Sequence, residues 1–493
     1  MSAAEPPQGA RPLGGAARSA VRGEHTSAAA PVLTDVDVIV VGGGISGLAA
    51  AFGAQQRGVS VEVLDAGARA GGVIGTVRRD GALCEVGPNS ALDTTPLINE
   101  LLDALGIRGE RADANAVAST RFIVRGGKPI ALPMSPGAFL TTPAFTLGAK
   151  LRLLREPFIA PAPPDVEESI AAFVRRRLGT EFLDYAIDPF VSGVYAGDPE
   201  QISVSAAFPR LHALEQKYGS LIKGQIKGAR ERRQSAEKAK NTAGSFSFRA
   251  GMQTITDALA RAVGRVATGV RVHQIVRNSD GTWSVAGTRD GAPVVRRARA
   301  VVLAAPAYTT AELVRDLAPA AAQGLVAIPY APVASVASAY RRSDIGHSLA
   351  GFGFLVPKKE QRQILGSLFS SSMFEGRAPA GTVLLTSFIG GRRNPALPAK
   401  PDAELVAIVH GELQTLAGAR GDPLWMNVTR WTHAIPQYNL GHRERLRPVE
   451  DAERALPGLF FCASYRGGVS VGDCIKSAHA MAETLTRFLG GVR

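Results

Sequence analysis

Three glycines, Gly42, Gly44 and Gly47, stand in G-x-G-x-x-G spacing directly after the β-branched run at residues 36–41 and at the start of a helical pattern. That arrangement suits a pyrophosphate. Gly42 permits a tight turn, Gly44 lets the backbone approach the phosphates, and Gly47 lets helix and strand pack closely. Gly43 and Ser46 complete the turn, and the N-terminus of the helix offers free N–H groups and the positive end of its dipole. Asp65 lies 23 residues after Gly42, at the end of a second strand pattern. A carboxylate there can accept hydrogen bonds from a ribose diol. Together these residues predict a bound dinucleotide.

More backbone approach points follow. Asp65 and Ala66 lead to Arg69, the pair Gly71–Gly72 and Val73, and a further glycine turn carries Gly87, Pro88, Asn89 and Ser90. This D-A-x-x-R-x-G-G run resembles the second FAD motif of amine-oxidase-like flavoproteins, which usually have glutamate where Asp65 stands. The resemblance implies one FAD per chain, bound non-covalently. No histidine–acid or paired-carboxylate pattern demands a general base: His212, His273, His410, His433 and His479 are scattered, so no catalytic acid or base is assigned. Cys84, Cys462 and Cys474 are too few for a disulfide framework and lack C-x-x-C spacing, which leaves a zinc site without support and favours a reducing compartment. Cys462 falls in a strand pattern, where burial is a better reading than a covalent flavin link.

The elements that must position these groups follow from periodicity. Residues 36–41, 46–56 and 59–65 read as a β-α-β unit. From Ala91 to about Gly219 the apolar spacing of three and four is mostly helical. Strand patterns return at 266–305, 352–357 and 382–391, and the end of the chain reads strand, Gly-rich turn, long helix. The expected fold is α/β: a discontinuous Rossmann-like FAD-binding domain (35–95, 245–310 and 440–493), a mixed-sheet substrate domain (96–112, 210–244 and 311–439) and an inserted helical domain (113–209). Residues 1–34, rich in Ala, Gly, Arg and Pro, read as a disordered leader with no secretory signal.

Further blocks carry a closer resemblance: RFIVRGGKPIALP (121–133), DPFVSGVYAGDP (188–199), SFSFRAGMQT (245–254), GFGFLVPKKEQ (351–361), LFSSSMF (368–374), TSFIGGRRN (386–394) and ASYRGGVSVGDCIKSA (463–478). In this order they resemble the oxygen-dependent protoporphyrinogen oxidases of haem and chlorophyll synthesis. That resemblance implies oxidation of protoporphyrinogen IX to protoporphyrin IX, with molecular oxygen as acceptor and hydrogen peroxide as by-product. It implies that Arg121 pairs with a substrate propionate, that Leu355, Leu368 and Phe388 sandwich a pyrrole ring, and that Gly193 leaves room for the macrocycle. By type alone Arg121 could be a surface arginine, the apolar trio core residues, and Gly193 a helix C-cap. Val272 would read the adenine, and Ala463, Val469, Ser470 and Val471 would contact the flavin end. The same resemblance suggests a homodimer.

Composition limits the partners. No stretch is long and apolar enough to span a membrane. The formal net charge of +13 admits nucleic acid, an anionic membrane or an anionic substrate, but no nucleic-acid motif accompanies it. Part of the excess lies at 217–240, a solvated basic stretch with no assigned role. Residues 131–154, with Leu140 and Phe145 flanked by Lys150, Arg152 and Arg155, predict peripheral contact with an anionic membrane surface, or else internal packing. The Ala/Arg/Gly bias suggests a bacterial cytoplasm beside the inner membrane, or a chloroplast or mitochondrion in a eukaryotic host. Rival readings are a coproporphyrinogen or amine oxidase, or a flavin-binding protein without turnover.

Overall fold

Val38, Val40, Ile39 and Val41 form a strand, Asp35–Val41, that is apolar on both faces because both faces are covered. On one side Val38 and Val40 pack with Leu48 and Phe52 of helix Ile45–Gln55 and with Ala478, Ala482 and Leu485 of helix Val471–Gly490. On the other, Ile39 and Val41 meet helices Ala307–Val314, Pro319–Val326 and His442–Ala455. The computed structural model describes residues 35–133, 135–163, 165–228 and 243–490. The leader expected at 1–34 and half of the basic stretch at 217–240 (residues 229–240) lie outside the described residues.

The strand Asp35–Val41 pairs in parallel with Val61–Leu64 and with Ala292–Leu303. Val266–Ala267 extends the sheet beyond Val61–Leu64, and Leu459–Phe461 pairs in parallel with Ala292–Leu303. Trp283–Arg289 and Arg271–Arg277 add an antiparallel edge. This seven-stranded sheet therefore draws on three separate stretches of chain.

A second seven-stranded sheet runs in the order Trp425–Pro436, Tyr330–Arg341, Thr382–Gly390, Ile364–Leu368, Gly353–Leu355, Phe122–Arg125, Lys128–Ala131. One face is sealed by helix Asp402–Ala417, whose Leu405, Val409 and Leu413 pack on Val336, Phe354 and Leu385. The mostly helical expectation for 91–219 needs correction here. Phe122–Arg125 and Lys128–Ala131 form a hairpin in this sheet, turned by Gly126 and Gly127 at φ +60° and +74°. Two successive left-handed residues make the tight turn that matches strand twist, and that Gly-Gly signal is present in the sequence.

Helices dominate from Pro136 to Lys227. At their centre Arg177, with 0% exposure, is ion-paired to Glu215 at 2.5 Å and to Glu156 at 3.1 Å, and donates to the carbonyls of Ile159 and Gly219. These bonds satisfy an otherwise costly buried charge. Phe145 does not reach the surface: it is buried and stacks on Phe182 with ring centres 4.6 Å apart. Leu140, Leu147, Leu151, Leu154 and Phe158 are exposed. Lys150 turns back to the carbonyls of Leu140 and Thr142, and Arg152 to those of Arg176 and Arg177, so of the three expected basic flanks only Arg155 makes no such contact among the described residues. Among the described residues, no helix is long and apolar enough to cross a membrane.

Candidate functional site

Gly44 ends the glycine turn in extended geometry (φ −74°, ψ 177°) just before helix Ile45–Gln55. A β-carbon built on Gly44 would meet no atom within 4 Å, whereas one on Gly47 would lie 2.0 Å from the Gly42 carbonyl oxygen. Gly47 is thus needed for packing, and Gly44 faces open space in front of the free N–H groups of the helix. Gly42, at φ +115°, sits against the backbone of Ala304 and Ala305. Gly71 donates to the Gly43 carbonyl at 2.7 Å, which brings the Gly71–Gly72 turn against Gly44. Val73, beside that turn, is 47% exposed. Arg69 caps the loop through the Ala70 and Gly72 carbonyls, and Gly87 packs on the Val73 carbonyl, where a β-carbon would come within 2.0 Å. Pro88, Asn89 and Ser90 are partly exposed on the same turn.

Asp65 does more than the sequence indicates. Its carboxylate accepts from the backbone N–H of Gly43 at 2.6 Å and of Gly67 at 2.7 Å. The acid therefore fastens the glycine turn to the end of the second strand. Each oxygen keeps a further lone pair, and Ala66 is exposed beside it. The backbone of Val270 donates to the Asp65 carbonyl, which places the start of strand Arg271–Arg277, with Val272, next to this end of the cradle.

Residues 463–471 lead into helix Val471–Gly490, which packs beside helix Ile45–Gln55. Ala463 is buried, and Val469, Ser470 and Val471 are partly exposed. The Ser470 hydroxyl and the Asp473 carboxylate bond each other at 2.6 Å, and the Asp473 N–H donates back to Ser470, capping helix Val471–Gly490. Two residues not foreseen from sequence hold this loop. The Tyr438 hydroxyl donates to the Ser464 carbonyl at 2.8 Å and accepts from the Gly468 N–H at 2.9 Å. His442 stacks on Tyr438 with ring centres 4.1 Å apart, and its Nε2 lies 3.0 Å from the Tyr465 carbonyl, which can only accept. Nε2 therefore carries the proton. Cys462 is buried and its thiol is pushed up to about 12 by desolvation, which suits packing rather than reaction; it follows strand Leu459–Phe461 instead of lying within it.

Burial also pulls His442 down to about 4, from an ordinary 6.5. For a base whose folded pKa is depressed, the unfolded chain takes up the proton first. Stability contributed by neutral His442 is therefore intact above about pH 6.5 and is lost as the pH falls toward 4. In thermal melts at pH 7 and pH 5, His442→Gln should show a smaller drop in Tm between the two pH values than wild type; an equal drop would remove His442 from the account.

The second sheet brings the remaining residues together. Gly353 pairs with Leu368 and Leu355 with Gly366, which in turn pairs with Phe388. Paired residues and those two apart share a face, so Leu355, Leu368 and Phe388 share one. The parallel pairing of Phe354 with Phe122, continued back by one residue, sets Arg121 beside Gly353 on that face. It is the face away from helix Asp402–Ala417, and it meets the nucleotide side: Ala337 and Leu384 pack on Cys84, and the Trp431 indole donates to the Val86 carbonyl at 2.8 Å. In strands that are otherwise largely buried, Leu355, Leu368 and Phe388 are each partly exposed, as residues lining a cleft would be.

Arg121 is half-buried, and its guanidinium lies 5.5 Å from the Phe352 ring. Desolvation holds its pKa below the usual arginine value. Among the described residues its guanidinium has no carboxylate or hydrogen-bond partner. Gly193 is not a helix C-cap. It lies within helix Asp188–Tyr195, which ends at Ala196 in the left-handed region (φ +48°). A β-carbon on Gly193 would come 2.8 Å from Leu355 Cδ2, so the missing side chain is what lets the helix approach the sheet.

The arrangement thus combines an open glycine turn at the start of one helix, a capped turn at the start of another and, among the described residues, a partly exposed apolar face beside a cation without a carboxylate or hydrogen-bond partner; an open glycine turn before a helix is of the kind that fits a phosphate group. Residues 45–486 match the family described as flavin containing amine oxidoreductase. The mitochondrial protoporphyrinogen oxidase of Nicotiana tabacum is 34% identical over 92% of this chain and 95% of that protein. The coproporphyrinogen III oxidase of Bacillus subtilis is 28% identical over 92% of this chain and 98% of that protein. A crystal structure from Exiguobacterium sp., assigned as a protoporphyrinogen oxidase, superposes with a TM-score of 0.77 at 26% identity, covering 92% of this chain and all of the other. The chain is a flavin oxidoreductase of the flavin containing amine oxidoreductase family, grouped there with the protoporphyrinogen oxidases.

Proposed function

We propose that this chain oxidises protoporphyrinogen IX to protoporphyrin IX, with molecular oxygen as acceptor and hydrogen peroxide as by-product, using FAD bound without a covalent link. The observation that carries this reading is the shared face: an unpaired, half-buried Arg121 beside the partly exposed Leu355, Leu368 and Phe388, turned toward the flavin turn at 84–90. A porphyrinogen is a wide apolar ring with propionates at its edge, and it needs a mostly apolar cleft with few polar anchors. Arg121 binds a propionate by charge-assisted hydrogen bonds. Leu355, Leu368 and Phe388 hold the ring against the flavin and keep water out, and Gly193 shapes the same site by letting helix Asp188–Tyr195 close on Leu355. The bound flavin supplies the two-electron acceptor. Anaerobic addition of protoporphyrinogen IX should bleach the yellow protein, and air should restore the colour with release of peroxide. A flavin that stays oxidised under protoporphyrinogen rejects the substrate.

The same reading places the enzyme peripherally on an anionic membrane, such as a bacterial inner membrane, as a homodimer. Leu147, Leu151 and Leu154, spaced four and three apart on one side of helix Leu147–Leu153 and its last turn, are 71%, 55% and 67% exposed, and Phe158 is 87% exposed. An apolar ridge of this kind suits the headgroup boundary. The double change Leu147→Glu/Leu154→Glu should weaken sedimentation with anionic liposomes by roughly a hundredfold or more, at about tenfold for each 1.4 kcal/mol of lost apolar insertion, and leave turnover of detergent-dispersed substrate unaltered. Unchanged sedimentation would remove the membrane from the proposal.

A further inference from the structure

The height of the apolar cleft depends on how closely helix Asp188–Tyr195 approaches the second sheet, and the contact between them is tight at Gly193 and Leu355. One side chain ties the neighbours of both. Arg393, five residues beyond Phe388, donates through Nη2 to the Ser192 hydroxyl at 3.0 Å and through Nη1 to the Val356 carbonyl at 2.8 Å. Ser192 adjoins Gly193, and Val356 adjoins Leu355. The same Nη2 lies 3.1 Å from Asp188 Oδ2, which also accepts from the Lys358 N–H at 2.7 Å. Both side chains of the ion pair are 9% exposed. The backbone repeats the link: the Arg392 N–H donates to the Ala196 carbonyl at 2.7 Å, just past the helix end. A rigid planar fork can serve three acceptors on two elements at once, and lysine cannot copy that geometry.

We propose that Arg393 is a positioning residue for the porphyrinogen cleft, clamping the helix that carries Gly193 to the strand that carries Leu355 and so fixing the gap that admits the ring. This rests on the reading of the cleft as the substrate site. Without the clamp the helix rises, the ring binds loosely, and the crowding that makes glycine necessary at 193 is relieved. The phosphate cradle lies on other elements and is unaffected.

The test uses the full-length, flavin-loaded protein. Arg393→Met and Arg393→Lys are compared with Asp188→Asn/Arg393→Met, which also removes the stranded carboxylate should the single change fail to fold. The expected result is flavin content equal to wild type, a KM for protoporphyrinogen IX raised at least tenfold with kcat changed less than threefold, and Arg393→Lys close to Arg393→Met. Gly193→Ala is then made in both backgrounds. It should raise KM at least tenfold alone and less than threefold with Arg393→Met present, because the methyl group no longer meets Leu355. Equal effects of Gly193→Ala in both backgrounds, or a loss of flavin parallel to the loss of activity, would overturn the proposal. Hydrogen exchange supplies a readout independent of substrate. Amides of 188–195 should exchange at least tenfold faster in the Arg393 variants while those of 45–55 do not change; unchanged exchange at 188–195 overturns the clamp. A wild-type protein that ignores protoporphyrinogen IX would reject the substrate reading, and the exchange result would still decide the clamp.

Discussion

A valine at position 44 should give a protein that folds, melts near the wild-type temperature and carries no flavin. The β-carbon position at Gly44 is open, and its φ of −74° is ordinary for any residue. The side chain therefore costs the fold little and fills the space in front of the N-terminus of helix Ile45–Gln55. Several backbone N–H groups lose their approach to the pyrophosphate together, so cofactor binding is abolished rather than weakened. Gly47→Val separates this effect from general damage. Its β-carbon would fall 2.0 Å from the Gly42 carbonyl oxygen, so it should fail to fold or melt far lower. The check is flavin absorbance per protein together with a thermal melt. Equal flavin content in Gly44→Val and wild type would move the phosphates out of this turn.

Arg121→Ala should be the most damaging single change on the substrate side that spares the flavin. Its guanidinium is partly desolvated without a partner among the described residues, so an incoming carboxylate finds a cation with no competing protein acceptor. A hydrogen bond to a charged group contributes about 1.5–3 kcal/mol, which corresponds to roughly 10- to 150-fold in kcat/KM. The loss should fall on KM, because the propionate is remote from the carbon that is oxidised and is held equally before and during reaction. Arg121→Lys should recover part of it, since an ammonium keeps the charge but not the planar fork. Steady-state kinetics at fixed flavin content decide this. A fall in kcat with KM unchanged would place Arg121 at the chemistry instead of at the ring's edge.

Much of the nucleotide side was legible because each local signal agrees with the fold. The β-branched run at 36–41 is buried on both faces, and the glycines after it have distinct steric reasons. The acid at 65 was legible as a residue but not in its task, because a carboxylate fastening two backbone N–H groups leaves the same sequence trace as one reaching for a ribose. The hairpin at 122–131 was misread as part of a helical region although Gly126–Gly127 announced it; the apolar spacing of the helices that follow outweighed a two-residue turn. Phe145 and Leu140 are alike by composition, but Phe145 is buried among Phe139, Phe182 and Tyr185, a packing that no local pattern shows. Gly193 could not be placed from sequence, since the residue that ends its helix is Ala196, an unusual left-handed cap. Arg393, Tyr438 and His442 went unassigned because their partners are distant in the chain: Ser192 lies 201 residues from Arg393, and Tyr465 lies 23 from His442. Side-chain hydrogen bonds over such spans become visible only once the sheets are assembled.

The central claim is tested most directly by aerobic turnover of protoporphyrinogen IX, followed by porphyrin fluorescence, with coproporphyrinogen III in parallel and Gly44→Val as the flavin-free control. The account predicts rapid fluorescence gain from protoporphyrinogen IX, well above autoxidation and absent in Gly44→Val, with a higher kcat/KM than for coproporphyrinogen III. Fluorescence gain no faster than autoxidation from a fully flavin-loaded protein, or a clear preference for coproporphyrinogen III, would contradict it.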